Sequence, residues 1–183
     1  MKGASKTVKV ILFDLGETLE HQQELLPGAT ETLQAIKSLS DSEGQAPALA
    51  LISDFTMPTT PDQIPTIQQE YYAILEQLGI RQLFEPVSQM VTLSTEVGVV
   101  KPNKKIFQTA IAKIDKNLGF ADAMFITEDQ KHVAKARKFG MKAVHFKAPG
   151  QTNGEIDRLI DLVPIVNSSS IPNRNRTDCG CFS

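Results

Sequence analysis

Cysteine is almost missing from this chain. Cys179 and Cys181 stand in the last five residues and no cysteine precedes them, so no disulfide framework can hold the body together, and a reducing compartment fits. Long apolar runs are missing too. The longest near the N-terminus, Val8 to Phe13, is interrupted by Lys9 and falls far short of a membrane span or a signal-peptide core. The expected location is the cytoplasm. Nor is there an excess of charge of one sign: 19 basic against 21 acidic side chains leave a formal net charge of −2. Sequence-independent attraction to nucleic acid or anionic lipid needs basic clusters, so neither nucleic acid nor membrane is expected as a partner. What the 183 residues do have is a 41% hydrophobic and 22% charged composition, that of a globular domain able to bury one sizeable core.

Strand and helix patterns alternate along the body. Five short apolar segments read as strands: Val8–Phe13, Ala48–Ser53, Met90–Leu93, Ala123–Thr127 and Lys142–Phe146. They are apolar on both faces, which predicts parallel strands buried on both sides. Between them lie helical patterns at Ala29–Leu39, Ile67–Leu78, Lys104–Ile114 and Lys131–Phe139, with a further short one at Glu155–Leu162. This alternation predicts an α/β open sheet. Two stretches stand outside the pattern. Phe55–Thr66, rich in proline and threonine, reads as a loop overhanging the strand ends, and residues 164–183 read as a disordered tail after a domain of residues 1–163. Tyr71-Tyr72 reads as one ring packed inward and one partly exposed, and Lys131–Lys138 as a solvated basic helix face. The Cys179-Gly180-Cys181 pair is too close for a relaxed disulfide and too short for a closed metal site.

The chemistry-bearing residues fall at the predicted strand ends, where ligands bind in an open parallel sheet. Asp14 follows the first strand in VILFDLGETL, Ser53 and Asp54 close the second, Lys101 precedes a helix start at Pro102, and Thr127-Glu128-Asp129 end the fourth strand. Taken singly, Asp14 is a turn residue, Ser53 a cap, Lys101 an exposed charge and Asp129 a helix N-terminal charge. Their order and spacing give them collective weight.

In that order and spacing the chain resembles the haloacid dehalogenase-like (HAD) hydrolase superfamily over residues 8–146. The first motif of that family is an Asp-x-Asp after an apolar strand, here Asp14-Leu15-Gly16; the second is matched by Ser53. The third, Lys-Pro-x-x-x-Ile-Phe, is matched by Lys101 to Phe107; the fourth has drifted to Thr127-Glu128-Asp129 with His132. The resemblance implies a Rossmann-like three-layer fold with a parallel five-stranded sheet in the order 5-4-1-2-3 and little or no cap. It also implies a phosphatase or phosphotransferase acting on a phosphorylated substrate through an aspartyl-phosphate on Asp14. In that scheme Ser53, Asp54 and Lys101 bind phosphate, and Mg2+ lies near Asp14, the Gly16 carbonyl, Glu128 and Asp129. Mn2+ or another divalent metal enters because His132 replaces an aspartate.

The departures bear on activity. Gly16 occupies the position of the family's acid/base aspartate, so weakened turnover is expected. A degenerate HAD domain serving as a binding or regulatory module is the alternative.

Overall fold

The computed structural model describes residues 8–40 and 44–170. The Cys179/Cys181 pair and the tail beyond residue 170 lie outside the described residues. Strand β1 (Val10–Phe13) is followed by a hairpin of β2 (Glu20–His21) and β3 (Glu24–Leu25), then α1 (Ala29–Lys37) and β4 (Ala48–Ser53). Next come α2 (Ile64–Gln77), α3 (Val87–Met90), β5 (Val91–Leu93), α4 (Ser94–Val97) and α5 (Lys104–Ile114). The chain continues through β6 (Ala123–Thr127), α6 (Gln130–Lys138), β7 (Lys142–His145) and α7 (Leu162–Ser170).

Five strands pair in parallel in the order β5-β4-β1-β6-β7. Numbered over the five sheet strands alone, and read from the β7 edge, this is the order 5-4-1-2-3; the two short strands of the hairpin form a separate ribbon. Period two along β1 divides the core. Ile11 and Phe13 pack on one face with Leu33 and Ile36 of α1, Leu75 of α2 and Val166 of α7, while Val10 and Leu12 pack on the other with Ile106 and Phe107 of α5 and Val133 of α6. The result is three α/β/α layers. Both faces of the sheet are covered, which is why its strands lack the polar alternation of a half-exposed sheet.

Three sequence expectations are corrected here. Phe55–Thr66 is not one long loop: two of its three prolines mark helix starts. Pro61 opens a short 3-10 turn over Pro61–Gln63, where Gln63 Oε1 accepts from the Thr59 amide at 2.8 Å, and Pro65 sits in the first turn of α2. Proline suits that turn because its missing N–H has no intrahelical partner there. The stretch that remains is tied to α4, with the Phe55 amide donating to Ser94 Oγ at 2.9 Å and Thr95 Oγ1 donating to the Thr56 carbonyl at 2.7 Å.

The second correction follows from the same rule. Glu155–Leu162 is a bridge at Ile156 and a 3-10 turn at Leu159–Asp161, and the helix lies further on, at Leu162–Ser170, with Pro164 in its first turn. Leu162 and Val166, four residues apart on one stripe, are fully buried. The packed body thus runs past residue 163. Third, Tyr71 and Tyr72 are both buried, because α2 is covered on both of those positions.

Candidate active site

The order of strands reverses at β1: the chain moves outward through β4 and β5, then returns to place β6 on the other side. Such a switch point opens a crevice beyond the carboxyl ends of the strands. Asp14 is the first residue past β1, its amide donating to the Ile126 carbonyl of β6 at 3.0 Å. β4 delivers Ser53 on one side and β6 delivers Thr127 on the other. A hollow of about 390 Å³ lies over these ends, with Asp14, Ser53, Lys101, Glu128 and His132 among its walls.

Asp14 and Lys101 form the centre. Lys101 Nζ stands 2.7 Å from Asp14 Oδ1 and donates also to the Ile52 carbonyl at 3.0 Å. The Lys101 side chain is only 3% exposed and that of Asp14 11%, so the pair is largely withdrawn from solvent while one carboxylate edge faces the hollow. On its other oxygen Asp14 meets Thr127 Oγ1 at 3.1 Å, and the same hydroxyl lies 3.0 Å from Glu128 Oε2. One hydroxyl proton is therefore shared between two carboxylates. Thr18 completes this side: its Oγ1 donates to Glu128 Oε2 at 2.7 Å and accepts the Glu128 amide at 3.1 Å.

Not every expected residue joins the centre in the expected way. Asp54 gives phosphate no donor. Its Oδ1 accepts the Lys101 amide at 2.8 Å, so it holds the lysine's backbone in place, and a carboxylate in that position repels an anion. Asp129 is the N-cap of α6, accepting from the Lys131 amide at 2.7 Å and the His132 amide at 3.1 Å, and it lines a neighbouring hollow with Gln151 and Thr152. Capping engages Oδ1, while Oδ2 points toward His132. His132 does reach the site. Its Nε2 is 3.6 Å from Asp129 Oδ2, and its buried Nδ1 has no hydrogen-bond partner.

Gly16 lies on the rim with an open flank, since a Cβ built there would meet no atom within 4 Å. Glu17, also on the wall of the hollow, takes a left-handed φ of 56° and pairs with His21 Nδ1 at 2.8 Å. Sequence reasoning missed Tyr71, whose hydroxyl lies 2.6 Å from Ser53 Oγ. Burial pushes the Tyr71 phenol well above the usual tyrosine range, against the smaller pull of its Ser53 hydrogen bond. No local pattern marked it, because helical spacing reads a tyrosine there as core.

Among the described residues no helix is long and apolar enough to cross a membrane, and no group of three or more His, Cys, Asp or Glu side chains is disposed to hold a metal.

These features define a doubly wound α/β domain with an aspartate, lysine and hydroxyl cluster at its switch point. The fold is that of HAD-superfamily hydrolases. A protein described as the HAD hydrolase YfnB of Bacillus subtilis, bound to magnesium, superposes with a TM-score of 0.59 at 16% identity over 79% of this chain and 57% of its own. A HAD phosphatase from Thermococcus onnurineus gives 0.55 at 19% identity, over 80% of this chain and 60% of its own. A HAD-superfamily hydrolase from Ehrlichia chaffeensis gives 0.58 at 11% identity, over 90% of this chain and 98% of its own. The chain thus spans less than two thirds of the first two proteins and nearly all of the third. No family model matches the sequence, and no curated protein matches it. At these identities the likeness is one of fold.

Proposed function

We propose that the chain is a metal-dependent phosphoric monoester hydrolase or phosphotransferase of modest turnover, acting through Asp14. The observation that carries this reading is the buried Lys101–Asp14 contact of 2.7 Å at the open end of the sheet. A structural ion pair alone does not account for a carboxylate edge left facing a hollow beside a serine hydroxyl. In the proposed cycle an Asp14 oxygen attacks phosphorus in line, and the bond from phosphorus to the leaving oxygen breaks with its electron pair leaving on that oxygen. Water then hydrolyses the acyl phosphate, releasing inorganic phosphate and restoring the carboxylate. Lys101, which balances Asp14 at rest, follows the negative charge onto the phosphoryl oxygens, and Ser53 donates to them.

The walls of the hollow include Asp14, Glu17, Glu20, Asp54 and Glu128 against Lys101, a balance that repels a phosphate dianion. A divalent cation resolves the conflict. Magnesium is content with one or two carboxylates plus waters and phosphate oxygens, so Asp14, the Gly16 carbonyl and Glu128 fit it; a closed four-ligand zinc site would need more side chains. When bound, the ion supplies positive charge to the phosphoryl oxygens. His132 is the residue that would favour manganese over magnesium. The magnesium bound to the Bacillus subtilis protein and the phosphatase name of the Thermococcus onnurineus one support this reading.

Gly16 supplies no carboxyl group to protonate a poor leaving group or activate water, a contribution of about 10²- to 10⁴-fold. The test is therefore rapid-mix release of phenolate from an activated aryl phosphate, with magnesium, with manganese and with neither. We expect a metal-dependent burst of about one equivalent followed by slow turnover, absent in Asp14→Asn. Absence of metal-dependent release from the folded parent overturns the reading. It favours instead a binding module, the role to which the bare Gly16 position also points.

A further inference from the structure

We infer that Tyr71 is a positioning residue: its phenol donates to Ser53 Oγ and thereby turns the serine's own proton toward the phosphoryl group. The inference rests on the phosphoryl-transfer reading of the site and extends it to a helix that the motifs do not include.

The argument is a proton count. The two oxygens are 2.6 Å apart and each carries one hydrogen. One hydrogen occupies the bond, and the other must go elsewhere. A phenol is the stronger acid of the two and an aliphatic hydroxyl the stronger acceptor, so the favoured arrangement has Tyr71 donating. Neither hydroxyl has a second protein partner among the described residues and both residues line the hollow, so relative acidity is what decides between the two arrangements. With Tyr71 donating, the unplaced hydrogen is that of Ser53. That hydroxyl has no other acceptor among the described residues, and it lines the hollow with Asp14 and Lys101.

The ring is held from the side. Phe55 packs edge-on against Tyr71, with centroids 5.1 Å apart and planes at 75°, and the α2 residue Leu75 is fully buried in the same core. The phenol therefore has little freedom to swing away when an anion arrives. A serine whose proton is already aimed loses less orientational freedom on binding than one that must reorient.

The experiment measures the Kd of inorganic phosphate in the presence of magnesium by calorimetry, for the parent, Tyr71→Phe, Ser53→Ala and the double variant. Tyr72→Phe serves as a control that removes a buried phenol with no link to Ser53. We expect Tyr71→Phe to raise Kd about three- to tenfold, in keeping with one hydrogen bond. The effect should vanish in the Ser53→Ala background, and Tyr72→Phe should bind as the parent does. An unchanged Kd in Tyr71→Phe, or an equal loss in both serine backgrounds, overturns the inference while leaving the phosphoryl-transfer reading intact. A parent that neither binds phosphate nor shows the phenolate burst overturns that reading and the inference with it.

A variant-free readout covers the case in which Tyr71→Phe fails to fold. The chain has two tyrosines, so ring-carbon labelling gives two resolvable signals. Phosphate should shift the Tyr71 signal along the same binding curve and leave Tyr72 in place. No shift at Tyr71 under saturating phosphate overturns the inference.

Discussion

Gly16 is the residue on which the chemistry turns. Its backbone needs no left-handed conformation and its flank is empty, so a side chain can be added there without displacing a neighbour. Gly16→Asp is expected to raise steady aryl phosphate turnover by about tenfold or more and to remove the burst, as measured by stopped-flow and steady-state release in parallel. Tyr71 has a consequence for stability as well as for binding. Its folded-state pKa lies above the ordinary value of 10.0, so its contribution is complete below pH 10 and is lost as pH rises and the unfolded chain ionises first. The loss approaches about 1.4 kcal/mol per pH unit for one proton. Urea unfolding from pH 9 to 12 should therefore fall less steeply for Tyr71→Phe than for the parent. Asp14, Ser53, Lys101 and Glu128 were legible because each stands beside a recognisable strand end or proline. Tyr71 and the hold of Thr18 on Glu128 were not, because those contacts join residues 18 and 110 positions apart.

Among the elements, the β2–β3 hairpin beside the site was unseen in the sequence, as were the four-residue helices α3 and α4. The hairpin's strands have two residues each, too short for a period-two pattern, and its turn residues carry none of the Asn-Gly signal that marks a tight hairpin. Gln22 and Gln23 both adopt left-handed φ values, 54° and 67°, where a side chain costs about 1 kcal/mol. Gln23→Gly should thus stabilise the domain by about 0.5–1 kcal/mol, read as a higher urea midpoint at constant slope. The helices α2 and α7 were misplaced for a single physical reason. Proline was read as a helix breaker or loop former, whereas Pro65 and Pro164 occupy first turns, where the missing amide hydrogen has no role.

For the molecule as a whole, the question is where the packed body ends. Val166 is fully buried against the α1 side of the sheet, so a chain cut after Val163 should unfold at a lower denaturant concentration than one ending at Ser170. The expected loss is at least about 2 kcal/mol, the worth of one fully buried valine before other contacts are added. Sequence alone was enough for the class of fold, the five strands and their parallel direction, and the candidate aspartate, serine and lysine, because these depend on local periodicity and on residues adjacent to strand ends. Which role each carboxylate takes around the hollow was settled by tertiary contacts. Glu128 turns inward because Thr18 and Thr127 hold it, while Asp129 turns to cap α6 and Asp54 to hold the Lys101 amide. A carboxylate's role depends on which distant donor reaches it first, and that is a property of the packed layers and not of neighbouring residues in the chain.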